Sequence, residues 1–159
     1  AAHSERDQLQ KSLQILDING RGLASSFSTK QLNADLEQLM ERISIRVASN
    51  DTQIKDFLEG ALAEAGFSSN LQTNPDYTLE GNLIFDNSTK IDGVYWVTGV
   101  LEISLRSEQS SKIRGSKSWN LKSGSSLNPK MAQRRATEKA QTILLAELRN
   151  SILQFAGGN

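Results

Sequence analysis

The sequence contains no cysteine, only one histidine and only two prolines among its 159 residues. The lack of cysteine excludes disulfide bonds, cysteine nucleophiles and thiolate metal sites. A Ser–His pair or a histidine-rich metal site would have to use His3, which lies in a polar stretch at the start of the chain. We therefore expect no catalytic residues, no metal and no cofactor.

The chain also lacks an excess of charge of either sign and lacks long apolar runs. Eighteen basic residues balance eighteen acidic ones, which argues against general binding of nucleic acid. No apolar run reaches the roughly eighteen residues that a membrane-spanning helix needs. Hydrophobic residues still make up 37% of the chain, enough to build a core in a folded protein.

The length of the chain suits one domain with a core and is too short for two ordinary domains. We expect residues 1–10 to form a flexible polar leader and residues 11–157 to form a single domain. Because the sequence begins at Ala1 rather than at a methionine, we expect that a preceding segment has been removed. A lipid-bearing N-terminal cysteine, if the native protein has one, would be lost with it.

The period of the apolar residues predicts the secondary structure. Leu36 and Met40 follow a helical spacing, whereas Ile43, Ile45 and Val47 alternate as in a strand. A helix is therefore predicted to run into a strand with no turn residue between them. In chain order, the predicted elements are a strand at 13–18, a helix through Leu32 to Met40, a strand at 43–49, a helix at 52–65, strands at 76–86, 94–107 and 113–123, and a helix from Pro129 to about Phe155.

This order, β-α-β-α-β-β-β-α, predicts an α+β fold with a mainly antiparallel sheet and amphipathic helices packed on one face. The segment "NSTKIDG" is predicted to be a turn between two of the strands. In the last strand we expect Ile113, Trp119 and Leu121 to face inward.

The most informative side chains lie on the predicted solvent side of the sheet. Trp96 falls on that side of its strand, and Lys112 and Arg114 share the corresponding face of the next strand with Lys122. Tryptophan and arginine are enriched in protein interfaces, so Trp96, Lys112 and Arg114 are the candidate partner-binding residues. There are two alternatives: a loop or the leader covers Trp96, or Trp96 stacks on a single-stranded nucleic acid.

A function of another class is also open at this stage. A small-ligand-binding or hydrolytic domain would place its cleft between the last helix and the sheet. Convergent acidic residues and a shifted carboxyl pKa in that cleft would favour it.

Two stretches resemble proteins of the bacterial envelope. Gly20 and Gly22, the helix through Leu36 and Met40, and the strand Ile43–Val47 resemble the small outer-membrane lipoproteins of the LPP-twenty type and the related flagellar assembly protein T. Residues 52–122 are similar to the N-terminal domain of the translocation protein TolB and to lipoprotein activators of penicillin-binding proteins. Asp76-Tyr77, Leu79 and Gly81 carry this second resemblance.

Such domains are α+β docking modules without catalytic residues, so the resemblance implies a non-enzymatic envelope protein. It would lie in the periplasm or on the periplasmic face of the outer membrane, and would contact the membrane only through a lipid anchor. We expect it to bind protein partners of an envelope machine, through the outer face of the sheet or a free strand edge. A second copy of the chain is a further candidate partner, and no nucleic acid is expected.

Overall fold

The computed structural model describes residues 29–68 and 74–157. The predicted leader, the predicted strand at 13–18, and Gly20 and Gly22 lie outside the described residues. The chain divides into two compact units, residues 1–40 and 41–159. The single-domain interpretation therefore stays a prediction.

Three helices and five strands are described, and the α+β class is confirmed. The helices are α1 (Thr29–Arg42), α2 (Thr52–Ala65) and α3 (Pro129–Gly157). The strands are β1 (Ile45–Ala48), β2 (Tyr77–Phe85), β3 (Thr89–Ile91), β4 (Val94–Ser107) and β5 (Ile113–Ser125).

Hydrogen bonds at Ser44 explain how the chain passes from helix to strand without a turn residue. Only Ile43 and Ser44 separate α1 from β1. The Ser44 amide donates to Asp76 Oδ2 over 2.8 Å, and the Asp76 amide donates to Ser44 Oγ over 3.1 Å. These bonds join the start of β1 to the start of β2.

Helix α2 is bounded by local signals. Asp51 accepts hydrogen bonds from the amides of Gln53 and Ile54, at 2.7 and 3.2 Å, as an N-cap residue does. Gly66 ends the helix in the left-handed conformation, with φ of 87°. The predicted helix at 52–65 is confirmed.

The segment predicted as a turn contains a strand. β3 pairs antiparallel with the start of β4 through a two-residue connection. Asp92 and Gly93 form this connection with φ of 50° and 78°, the backbone that a tight hairpin requires. The turn prediction for "NSTKIDG" was thus wrong for Thr89–Ile91, because three exposed residues carry no alternating pattern.

The sheet is mixed, with the strand order β1-β2-β4-β5. β1 is parallel to β2, and the other pairs are antiparallel. β3 lies on the same side of β4 as β2, because β3 and β5 both pair with Tyr95 and Trp96. Among the described strands, β5 is consequently a long edge strand.

One face of the sheet, called the inner face below, is covered by α2 and α3. α2 contacts β1 and β2, α3 contacts β4 and β5, and the two helices contact each other. Fully buried side chains of the inner face and of these helices form the core: Leu58, Leu62, Leu79, Leu101, Ile103, Leu105, Leu144 and Leu148. Each such side chain stabilises the fold by roughly 1.5–3 kcal/mol, and the one-sided packing predicted from the sequence is confirmed for α2 and α3.

A bulge interrupts the β4–β5 ladder near its start. Leu105 lies opposite Gly115 and Arg106 opposite Ile113, so Arg114 is the extra residue. An extra residue reverses the alternation beyond it. Ile113 is therefore 65% exposed, and the prediction that it faces inward was wrong.

Candidate functional site

Trp96 lies on the outer face of the sheet, opposite Gly124 of β5. A Cβ atom at Gly124 would lie 3.1 Å from the Trp96 ring, so the ring rests against this glycine. The Lys122 ammonium lies 4.9 Å from the ring centroid, within the range of a cation–π contact. Neighbouring residues of β5 thus leave Trp96 half-buried.

Lys112 and Arg114 lie at the opposite end of the sheet from Trp96. Lys112 precedes β5, and its carbonyl accepts a hydrogen bond from the Ser107 amide. Arg114 is the bulge residue, and its guanidinium reaches the carbonyl of Ala156 at the end of α3 over 3.4 Å. Trp96 pairs with Gly124, and Arg106, ten residues further along β4, pairs with Ile113. Because ten strand residues span roughly 33 Å, Trp96 is about that far from Arg114 along the sheet.

The predicted partner-binding residues do not lie together, because Trp96 adjoins the C-terminal end of β5 and Lys112 and Arg114 lie at its N-terminal end. The three residues border the two ends of β5. Whether any of them contacts a partner stays a prediction.

The backbone of β5 presents its even-numbered residues to the open edge of the sheet. The Thr98 carbonyl accepts from the Asp86 amide on the β2 side of β4, so the odd-numbered residues of β4 bond to β5. Their partners on β5 are also odd-numbered, for example Leu121 opposite Gly99. The backbone groups of the alternate residues point away from the sheet: Ser116, Ser118, Asn120, Lys122 and Gly124.

The C-terminal end of this edge is covered by α3, which runs antiparallel alongside β5. Arg135 Nη1 donates to the carbonyl of Gly124 over 2.9 Å. Lys139 Nζ donates to the carbonyl of Lys122 over 2.8 Å. The two cations lie one helical turn apart on the same side of α3, and their side chains lie across the backbone that an added strand would need. We call Lys122–Gly124 the covered stretch.

No described residue covers the middle of the same edge. Within residues 29–68 and 74–157, the outward backbone groups of Ser116, Ser118 and Asn120 make no hydrogen bond. The following turns on that side of α3 carry Thr142, Ala146 and Arg149, and none of the three makes a hydrogen bond to the strand within the described residues. We call residues 116–120 the open stretch.

On the inner side of the open stretch, an ion pair holds β5 to α3. Lys117 Nζ donates to Glu147 Oε2 over 2.6 Å and lies 5.1 Å from the Trp119 ring centroid. The hydrogen bond and the charge of Lys117 lower the pKa of Glu147, although partial burial opposes this shift. Lys117 is thus the one cation of β5 with a carboxylate partner among the described residues.

A groove of about 620 Å³ lies at the N-terminal end of the open stretch. It is lined by residues 112–117 of the chain and by Gln154 and Phe155 of α3. A second groove of about 440 Å³ lies at the covered stretch and includes Arg135, Lys139 and Glu138. Lysine and arginine outnumber carboxylates along both grooves.

A separate group of charges lies at the β1–β2–β4 end of the outer face. Thr78 Oγ1 donates to Glu108 over 2.5 Å, and Arg106 pairs with Glu80 at 2.7 Å. The hydrogen bond from Thr78 lowers the pKa of Glu108; partial burial opposes this, and the charges of Arg46 and Arg106 add to the lowering. Two cations and two carboxylates balance here, so the group stabilises the sheet and presents no net charge.

Two further findings concern only the described residues. No group of three histidine, aspartate or glutamate side chains lies close enough together to hold a metal ion. None of the described helices combines the length and the apolar character that crossing a membrane requires.

Sequence reasoning missed the division of the edge into a covered and an open stretch. Arg135 offered a signal, since a cation near the start of a helix is disfavoured by the helix dipole and implies a compensating acceptor. That acceptor is the carbonyl of Gly124, which only the tertiary structure identifies.

No family model matches the sequence, and no curated protein matches it. Among solved structures, a candidate lipoprotein from Caulobacter crescentus CB15 is similar, with a TM-score of 0.53, 12% identity, and coverage of 77% of this chain and 96% of that one. A minor lipoprotein from Acinetobacter baumannii has a TM-score of 0.50, 9% identity, and coverage of 70% and 94%.

PelC from Paraburkholderia phytofirmans, which is a dodecamer, has a TM-score of 0.42, 13% identity, and coverage of 69% and 88%. Nothing about the assembly of this chain follows from a likeness of that size. Identities this low establish a shared fold alone. The chain therefore shares its fold with solved bacterial lipoproteins, and the finer resemblance to LPP-twenty and flagellar proteins stays a prediction.

Proposed function

We propose that the protein is a non-catalytic docking module of the bacterial cell envelope. It binds an extended segment of a partner protein as an added strand on the open stretch of β5. The observation that carries this proposal is the row of outward backbone groups at Ser116, Ser118 and Asn120, which have no hydrogen-bond partner among the described residues. Such a row is a template for strand addition.

The distribution of edge protection supports a binding role. Natural proteins guard their edge strands with bulges, lysines, prolines or covering elements. β5 has a bulge at one end and the side chains of Arg135 and Lys139 across the other. Between them, the side chains of Ser116, Ser118 and Asn120 are uncharged and exposed. The bulge and the two cations therefore flank the open stretch without covering it.

The envelope location is supported by the fold shared with the lipoproteins from Caulobacter and Acinetobacter. The resemblance to LPP-twenty proteins, flagellar assembly protein T and TolB refines it to the periplasm or the periplasmic face of the outer membrane. The partner then belongs to an envelope machine whose assembly or regulation the module supports. A lipid anchor outside this sequence would hold it at the membrane.

A hydrolytic or ligand-binding role is less well supported. The groove between α3 and β5 does lie where that alternative placed its cleft. Its charged residues are Lys112, Arg114 and Lys117, whereas acid–base catalysis by carboxylates needs a pair of acidic side chains. A cationic groove beside an open edge fits peptide binding better.

Site-specific photocrosslinking in the native cells tests the proposal. A photoreactive amino acid replaces Asn120 in the open stretch or, as the control, exposed Asn50 between β1 and α2. We expect a discrete crosslinked envelope protein from position 120 alone, and its loss when Ser118 is also changed to proline. Identical products from both positions, or none from position 120, would overturn the proposal.

A further inference from the structure

We infer that the segment bound by the open stretch is an extended strand with acidic side chains. This inference rests on the proposed function and names the chemistry of the partner. Strand β5 contains Arg114, Lys117 and Lys122 and no aspartate or glutamate, and Lys112 directly precedes it. An added strand would therefore lie along a basic neighbour.

The cations at the two ends of the open stretch are not neutralised by carboxylates. Within the described residues, neither Lys112, Arg114 nor Lys122 forms an ion pair. Arg114 makes only a long contact to a carbonyl, and Lys122 lies over an aromatic ring. No described carboxylate therefore competes with a ligand for these three charges.

Nearby acidic side chains do not cancel this charge. Glu147 pairs with Lys117, and Glu138 pairs with Arg134 at 3.0 Å. Glu102 of β4 lies opposite Ser118 of β5. An added strand would pair with β5, so β4 and Glu102 would lie one further strand spacing, about 4.8 Å, away from it. Arg135 and Lys139 add positive charge at the covered stretch.

The spacing of the cations sets the length of the ligand. Arg114 and Lys122 are eight residues apart on β5, which is roughly 26 Å of extended chain. A strand of about seven residues spans roughly 20 Å, so when centred on Ser118 it would end about one residue short of each cation, within reach of a terminal glutamate side chain. The end beside Lys112 and Arg114 would enter the 620 Å³ groove.

The same charges argue against a second copy of β5 as the occupant. Antiparallel pairing of two β5 strands about Ser118 would bring Arg114 of one copy opposite Lys122 of the other. Like charges directly opposite one another destabilise a strand pair. Carboxylates of an acidic segment would instead be attracted to Arg114 and Lys122.

The test uses two synthetic peptides of equal length and β-propensity. One is acetyl-Glu-Thr-Val-Glu-Val-Thr-Glu-amide, and the other has lysine in place of each glutamate. We expect the acidic peptide to bind about 10-fold or more tightly than the basic one at low salt, a difference of roughly 1.4 kcal/mol. Added salt should reduce this difference, and amide exchange of Ser116, Ser118 and Asn120 should slow on binding.

Variants of the protein and of the peptide separate backbone pairing from charge. Ser118→Pro should abolish binding, and N-methylation of alternate peptide amides should do the same without altering the protein. Arg114→Glu and Lys122→Glu should each weaken the acidic peptide about 5-fold or more, as loss of one charge contact does. Lys55→Glu on α2, the matched control, should leave binding unchanged.

The outcomes distinguish this inference from the proposed function. If both peptides bind equally and Ser118→Pro still abolishes binding, the inference of an acidic partner is wrong and the proposal of strand docking is retained. Binding of neither peptide would overturn both. Concentration-dependent protection of the open-stretch amides without peptide would assign the edge to a second copy of the chain and likewise overturn the acidic partner.

Discussion

The covered and open stretches of β5 belong to one strand, follow one register and lie beside one helix, yet only one is closed. At the covered stretch, Arg135 and Lys139 donate to strand carbonyls. Alongside the open stretch, α3 carries Thr142, Ala146 and Arg149, and none of these bonds to the strand within the described residues. Among the described residues, the two stretches differ in which side chains of the neighbouring helix bond to the strand backbone, and the strand itself is alike in both.

The largest expected effect comes from proline at two serines of β5: buried Ser123, whose amide bonds to β4, and exposed Ser118, whose amide points away from the sheet. Ser123→Pro removes a ladder hydrogen bond inside the sheet and should cost about 2 kcal/mol or more in the free energy of unfolding. Ser118→Pro removes an outward amide and should cost far less. Urea denaturation of both variants checks this, and equal losses would mean that the assigned edge direction is wrong.

A smaller effect is expected where β5 meets the end of α3. A Cβ at Gly115 would overlap the Phe155 ring, so Gly115→Ala should destabilise the protein by about 1–3 kcal/mol. Gly60 on α2 has open space around it, and Gly60→Ala should raise stability by up to about 1 kcal/mol. Thermal unfolding should show shifts of opposite sign, and a stabilising Gly115→Ala would contradict the packing at this end of the strand.

Removing the side chains of Arg135 and Lys139 should make the covered stretch as accessible to an added strand as the open stretch. Arg135→Ala and Lys139→Ala should each cost no more than about 1 kcal/mol, because both cations are exposed and their carbonyl partners can bond to water. The double variant should bind a peptide longer than the open stretch more tightly than the native protein does. Lys130→Ala, which removes an exposed cation from the same helix, is the control. Unchanged affinity for the longer peptide would show that these side chains do not limit the edge.

The smallest effect concerns the ion pair behind the open stretch. The pKa of Glu147 is lowered in the folded state from 4.5, chiefly by the hydrogen bond from Lys117. A lowered carboxyl pKa gives stability that is present above pH 4.5 and is lost as the pH falls through the folded-state pKa. Glu147→Gln should therefore reduce the drop in melting temperature between pH 6 and acid. The same drop in the variant would exclude a contribution from this pair.

The sequence predicted those features that rest on local signals. The ends of α2 follow from Asp51 and Gly66, whose capping roles depend on adjacent residues. The solvent-facing side of Trp96 follows from strict alternation within β4. The predictions failed where one extra residue or a distant group decides the structure. The bulge at Arg114 left Ile113 exposed, although its position in the sequence pattern placed it inward.

The site itself was predictable only in outline. A free strand edge was expected as a binding surface, but which part of it is free depends on Arg135 and Lys139, which reach across from a helix 11 and 17 residues away in sequence. Periodicity describes one element at a time. It carries no information on contacts of this kind.

Residue-resolved amide hydrogen exchange of the free protein tests the central claim most directly. The account predicts fast exchange at Ser116, Ser118 and Asn120, and slow exchange at Lys117, Trp119 and Leu121, whose amides bond to β4. Slow exchange at all six positions, in protein without any ligand, would show that the edge is already occupied and would contradict the account.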